Sequence, residues 1–162
     1  MKTLIFEEKW GDLIKEAFNY SAIVHGTNCF NTMGGGIALG IAKVFPEAEE
    51  ADKKTDFGNI NKLGNIQVVE IERDGKWLNI INARTQFKPG MDVSYAAIEL
   101  CLRKVNQDFA GYHIALPAIG AGIAGGDWTI IKKLIKDILV DVNVTIIYWD
   151  GDKEKLNNEF PK

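Results

Sequence analysis

Several things are scarce or missing in this sequence, and each absence closes a possibility. Cysteine occurs only twice, as Cys29 and Cys101. Two thiols so far apart form neither a disulfide framework nor a metal-ligand spacing, and they read as core-lining thiols in a reducing compartment. No cluster of His, Cys, Asp or Glu has the spacing of a metal site, so no metal and no cofactor is expected. No apolar run approaches the length of a membrane span. The first residues, Met1 to Glu8, are too few and too acidic for a secretory signal, so the expectation is a cytoplasmic protein with no membrane partner. Basic charge is not in excess: 19 Lys and Arg stand against 22 Asp and Glu, a net charge of -3. With no global positive field, general nucleic-acid binding is not expected, and an anionic ligand has to be held by local N–H groups. The Walker A run ending in Gly-Lys-Ser or Gly-Lys-Thr is absent, and G-x-G-x-x-G is missing from the first glycine loop. There are no internal repeats, low-complexity tracts or linkers.

What is present suits one α/β domain. Of the 162 residues, 46% are apolar and 25% charged, enough to build a core without metal or disulfide. The expected organisation is a monomer with one domain over residues 1–150 and a polar tail over residues 151–162. The chain is organised around the stretch from Ile23 to Ala42. Ala22-Ile23-Val24 is a short apolar run of strand character. A polar turn from His25 to Asn31 follows, then Gly34, Gly35 and Gly36, then a helical pattern in which Ile37, Ile41, Val44 and Phe45 share a face. That order places unpaired N–H groups and a helix N-terminus at the end of a strand, where a diphosphate is favoured. A tightly packed glycine turn with no ligand is the alternative.

The rest alternates in the same way. Thr3 to Phe6 reads as a first strand, and Trp10 to Leu13 as the turn into a short helix that Asp12 can cap. Pro46 ends the glycine-loop helix, and Glu47 to Lys54 starts another. Gly64 to Ile71 and Trp77 to Ile81 read as strands joined by a hairpin at Asp74-Gly75. Asn82 to Asp92 reads as a loop, Tyr95 to Val105 as a helix, and Ile114 to Leu116 as a buried strand. A second glycine loop, Gly120-Ala121-Gly122-Ile123-Ala124-Gly125-Gly126, opens a helix over Thr129 to Leu139, and Val144 to Tyr148 is the last strand. Alternating strands and helices predict a layered α/β fold with a mixed, mostly parallel sheet flanked by helices. If the strands are parallel neighbours, both glycine loops face one crevice at their carboxyl ends.

Four pieces in order carry a family resemblance: Gly11-Asp12-Leu13, Ile23-Val24-His25-Gly26-Thr27-Asn28, Gly34-Gly35-Gly36-Ile37-Ala38, and Leu116-Pro117-Ala118-Ile119-Gly120-Ala121-Gly122-Ile123. Together they resemble the macro domain family over nearly the whole chain. The resemblance implies a three-layer fold and a ligand, ADP-ribose or ADP-ribose 1''-phosphate. It implies that Asp12 accepts from the adenine amino group with Leu13 beside it, and that Asn28 meets the distal ribose. Gly34, Gly35, Gly36 and Ile37 correspond to the loop at the distal ribose and diphosphate. Gly120, Ala121, Gly122, Ile123, Ala124 and Gly125 correspond to the second phosphate loop. Tyr148 falls near the adenine, or is simply a strand tyrosine half in the core.

The departures point to a branch. Common members carry asparagine where this chain has His25. Gly-Gly-Gly-Ile-Ala, Thr85-Gln86 after the fourth strand and Trp128 after the second loop look like the phosphatases acting on ADP-ribose 1''-phosphate. The branch that removes ADP-ribose with a lysine nucleophile has lysine near Ala83 to Gln86, where this chain has none, and Lys88 is the nearest. An aspartate used by part of that branch falls near Ala124. His25, with an ordinary pKa of about 6.5, is the expected catalytic acid or base. Asp92 is the expected helper, orienting water or His25, or else a cap of the following helix. Three functions stay open: the phosphatase, an ADP-ribosyl hydrolase acting on a modified protein or nucleic acid, and a reader that binds ADP-ribose without chemistry.

Overall fold

The computed structural model describes residues 4–152, and residues 153–162 of the expected tail lie outside it. Six strands form one sheet: β1 (Phe6–Gly11), β2 (Ala22–Thr27), β3 (Ile66–Arg73), β4 (Lys76–Arg84), β5 (His113–Leu116) and β6 (Asn143–Trp149). Their order is β1-β6-β5-β2-β4-β3. Every neighbouring pair is parallel except β3 with β4, the hairpin. Its turn residues Asp74 and Gly75 both have positive φ, 55° and 80°, the twist that a two-residue hairpin needs.

The helices cover both faces. On one side lie α1 (Leu13–Glu16), α2 (Gly36–Val44) and α3 (Pro46–Lys53). They pack with Ile23, Ile80, Ala115 and Ile147 of the sheet. On the other side α4 (Tyr95–Asp108) and α5 (Trp128–Ile138) cover Val24, Ile81, Ile114 and Ile146. Burying both faces is why β5 and β6 read as nearly continuous apolar runs. The expected three-layer α/β architecture is the observed one.

Three element assignments differ from the sequence reading. Where the sequence reading places a strand over Thr3 to Phe6, Thr3 lies outside the described residues, Leu4 and Ile5 are irregular, and the first described strand is Phe6–Gly11. Its polar Glu7, Glu8 and Lys9 are tolerated because it is an edge strand paired only with β6. Pro46 opens α3 rather than only closing α2, since proline is well placed in a first helical turn. β4 continues through Asn82, Ala83 and Arg84, which the sequence placed in a loop. Asn82 and Arg84 are buried polar residues whose partners lie far away in sequence.

Candidate functional site

β1, β6, β5, β2 and β4 run parallel, so their carboxyl ends form one edge. A cleft of about 1010 Å³ lies along that edge. Four strand spacings of about 4.8 Å give it a length of about 19 Å. At one end are Asp12 and Leu13 after β1, and Ile147, Tyr148 and Trp149 on β6. In the middle are the two glycine loops. At the other end are Thr27 and Asn28 after β2, Thr85 and Gln86 after β4, and Pro89 and Gly90. The two glycine loops share this crevice, as the alternation of strands and helices predicts.

Asp12 does two things at once. Its Oδ1 accepts from the backbone N–H groups of Ile14 and Lys15, both at 3.1 Å, and so caps α1. Its Oδ2 makes neither cap bond, and Asp12 lines the cleft, so capping and ligand recognition are compatible. Beside it, Tyr148 is 2% exposed. Its hydroxyl donates to Glu8 Oε1 at 2.6 Å and accepts from Trp128 Nε1 at 3.2 Å. Burial, and then the bonded Glu8 carboxylate, push the Tyr148 pKa up, so it stays neutral.

The middle of the cleft is backbone. Gly35 caps α2 with no side-chain hydrogen bond, so the first N–H groups of that helix are free of a capping side chain. Gly36 has φ +57°, a conformation that favours glycine and turns the chain into the helix. Gly126 is required for a different reason: a Cβ there would lie 2.6 Å from the Gly120 carbonyl oxygen. Gly126 N donates to that same oxygen at 2.8 Å and closes the second loop. Ile123 reaches across, its Cδ1 3.1 Å from where a Cβ on Gly35 would sit.

The far end is polar and neutral. The Asn28 amide is built into its loop, accepting from Phe30 N at 2.8 Å and donating to Thr32 O and Oγ1 at 3.1 and 2.8 Å. Gln86 Nε2 donates to the carbonyls of Lys88 and Gly90 at 2.6 and 2.8 Å, which leaves Oε1 as its acceptor. Thr85 lines the cleft, and its buried Oγ1 has no hydrogen-bond partner among the described residues. Among the described residues, no Lys, Arg or His lines the cleft.

Most of the expected binding residues meet here: Asp12, Leu13, Asn28, Gly34, Gly35, Gly36, Ile37, Gly120, Ala121, Gly122, Ile123, Ala124 and Tyr148 all line the cleft. Four expected site residues do not. His25 is fully buried on the Ile23 face of β2, beneath α3, and its Nε2 bonds Asn82 Oδ1 at 2.6 Å. Asn82 Nδ2 donates to Ala48 O and Gln67 Oε1, which fixes the amide and makes His25 Nε2 the donor. Burial, opposed only partly by that bond and assisted by Arg84, lowers the His25 pKa to about 4. The expectation that His25 faces the distal ribose is therefore corrected. Asp92 does not reach the cleft either. It accepts from Lys88 N at 2.8 Å and closes the loop, while Ser94 rather than Asp92 caps α4. Trp128 stands behind Tyr148, and Gly125, at φ +81°, packs toward Met91. Among the lining residues that the sequence did not assign to the site are Thr27 and Trp149, together with Thr85 and Gln86, which read there only as the mark of a family branch. Each sits at or just after a strand end, a signal readable only once the strand order is known.

The same fold occurs in known proteins. The family model described as Macro domain matches residues 24–135. The chain is 34% identical over 145 residues to an uncharacterized 17.5 kDa protein of the tk-vs intergenic region of Enterobacteria phage T4, covering 86% of this chain and 94% of that protein. The solved macrodomain of Mycobacterium tuberculosis DarG is 25% identical with a TM-score of 0.72, over 86% of this chain and 96% of that one. Thermosipho africanus DarTG, solved in complex with ADP-ribose, matches at TM-score 0.71 and 19% identity, over 93% of this chain and 42% of that one.

Proposed function

The chain belongs to the macro domain family, and on that premise we propose that it binds ADP-ribose and hydrolyses ADP-ribose 1''-phosphate to ADP-ribose and phosphate. The observation that carries the binding is the order of chemistry along the cleft: a carboxylate at one end, uncapped N–H groups in the middle, neutral hydroxyl and amide groups at the other. Adenine, with its amino donor, belongs at Asp12 and Trp149. The diphosphate belongs on the α2 N-terminus and the second glycine loop. The distal ribose then lies at Asn28, Thr85 and Gln86.

Hydrolysis requires water to attack phosphorus while the P–O1'' bond breaks and its electron pair moves to O1''. Such transfers depend chiefly on positioning and on stabilising spread charge. Gln86 Oε1 can accept from the attacking water, and Thr85 Oγ1, buried and without a partner among the described residues, can donate to a phosphoryl oxygen after a change of rotamer turns it to the cleft. The departing O1'' is a hemiacetal oxygen, more acidic than an ordinary alcohol, so its charge is stabilised by hydrogen bonds with little need for an acidic side chain. The absence of lysine from the described cleft lining argues against the lysine-nucleophile route to macromolecular substrates.

Phosphate release from ADP-ribose 1''-phosphate, followed by phosphorus NMR, tests this reading. ADP-ribosylated protein and DNA serve as parallel substrates. Turnover of the phosphate that falls by about 10²-fold or more in Thr85→Val and Gln86→Ala, with ADP-ribose affinity retained, is the expected result. The lack of any titratable side chain at the described distal end favours one second reading, a reader without chemistry. Tight ADP-ribose binding with no turnover of any substrate would establish it. Activity only on the modified macromolecules would refute both.

A further inference from the structure

Behind the distal end lies a buried ion pair that the binding reading does not use. Arg84 and Asp52 have side chains 3% and 0% exposed, with Nη2 and Oδ1 3.0 Å apart. Burial raises the Asp52 pKa and lowers that of Arg84. A buried pair of this kind is commonly no more stable than apolar residues of similar volume, so packing alone does not account for it. The pair is in electrostatic contact only, neither Asp52 oxygen having a hydrogen-bond partner among the described residues, and the guanidinium's own hydrogen bonds go elsewhere: Nη1 donates to Thr27 Oγ1 at 2.7 Å and Nη2 to Gln67 Oε1 at 3.0 Å. Gln67 is anchored in turn to Ala51 O of α3 at 2.9 Å.

Thr27 connects this pair to the cleft. It lines the cleft, whereas Arg84 and Asp52 do not. Its hydroxyl accepts from Arg84 and donates to Ala83 O at 3.2 Å. The proton is thereby turned into the sheet, and an oxygen lone pair is what remains for a ligand. Thr27 O accepts from Thr85 N at 3.2 Å, so the same residue ties the end of β2 to the end of β4.

We propose that Arg84, anchored by Asp52, is a positioning residue for the distal half of the cleft. It fixes the Thr27 hydroxyl as an acceptor suited to a ribose hydroxyl, and it keeps the strand ends that carry Asn28, Thr85 and Gln86 in place. The inference rests on the ADP-ribose reading of the cleft. It concerns only the part of the ligand beyond the diphosphate.

The test compares ADP-ribose with ADP, which lacks the distal ribose, by calorimetric titration of three proteins: wild type, Arg84→Lys, and the double variant Arg84→Met with Asp52→Leu. Thermal melts report folding. Arg84→Lys keeps the charge opposite Asp52 but loses the planar fork that grips Thr27, and it carries the test whether or not the double variant folds. The expected result is unchanged ADP affinity in the folded variants, with the preference for ADP-ribose over ADP reduced about tenfold, the equivalent of one hydrogen bond. A merely structural role would weaken both ligands equally, and that outcome overturns the proposal. So does full preference in Arg84→Lys. A wild type with no preference for ADP-ribose over ADP overturns the ADP-ribose reading itself, and this inference with it.

Discussion

His25→Gln separates the buried role of this residue from a catalytic one. The side-chain amide nitrogen of the introduced glutamine can occupy the place of the ring Nε2 and keep the donor to Asn82 Oδ1, so the hydrogen bond survives while the titration is removed. In wild type the folded pKa of His25 is lowered from 6.5 to about 4 by burial. Above about pH 6.5 the ring is neutral in both states and contributes no pH dependence. As pH falls from there to about 4, the unfolded chain takes up a proton that the folded chain refuses, so stability falls. Below about 4 both states are protonated and the loss levels off. The gap between 6.5 and about 4, at about 1.4 kcal/mol per unit, comes to about 3 kcal/mol. Asp52, whose pKa burial raises, acts in the opposite sense, being easier to protonate folded than unfolded, but it is common to both proteins and cancels in the comparison. Urea titrations at a series of pH values between about 7.5 and 4 should show wild type losing about 3 kcal/mol more than His25→Gln across that window. ADP-ribose affinity and phosphate release at neutral pH should be unchanged. Equal pH slopes would mean that the ring is not a buried neutral imidazole. Lost turnover with intact binding and stability would return His25 to the chemistry.

Asp12→Asn should keep the α1 cap through Oδ1 but lose the charge facing adenine, weakening ADP-ribose by about 1.5–3 kcal/mol in calorimetry. The hypoxanthine analogue, rejected by wild type for want of an amino donor, should bind the variant better than it binds wild type. Gly122→Val should melt like wild type, since nothing lies within 4 Å of a Cβ there, yet bind ADP-ribose poorly because its side chain occupies the diphosphate channel. Gly126→Ala should do the reverse and lower the melting temperature by closing on the Gly120 carbonyl. Because no cationic side chain lines the cleft among the described residues, raising salt from about 0.05 to 0.5 M should change ADP-ribose affinity by less than about threefold; a steep salt slope in the titration would point to a lysine or arginine reaching the diphosphate.

The layered fold and the two glycine loops were legible because they rest on local patterns: apolar runs, periodic helices and glycine clusters. What escaped the sequence was set by partners distant in the chain. Asn82 and Arg84 look like loop residues until His25, Thr27 and Asp52 are placed around them, since polar residues inside a strand are stable only when their bonds are met. His25 could be placed on β2 and on the same face as Thr27 by alternation alone. That this face is roofed by α3 at His25 yet opens into the cleft at Thr27 depends on how α3 docks, which no local pattern encodes. Trp149 is not picked out by the sequence, and Thr85-Gln86 reads there as a branch mark rather than as part of the site, for a related reason. They follow strands that are remote in sequence and become one wall only in the order β1-β6-β5-β2-β4.

That wall divides affinity from selectivity. Its middle offers only peptide N–H groups and a helix terminus to a diphosphate, and such groups accept many nucleoside diphosphates alike. Discrimination therefore falls to the two ends, which use opposite means. At β1 a carboxylate demands a donor, and a ligand without one leaves a desolvated charge unpaired, the more severe penalty. At β2 and β4 the groups are neutral, and the hydroxyl of Thr27 is already turned inward by Arg84, so selection there is by geometry rather than charge. On the proposed phosphatase reading, a neutral distal end would also hold the phosphate product weakly, since no lysine or arginine among the described residues lines the cleft to retain a second dianion. Changes at the ends should thus alter which ligand is chosen, while changes in the glycine loops should alter how tightly any of them is bound.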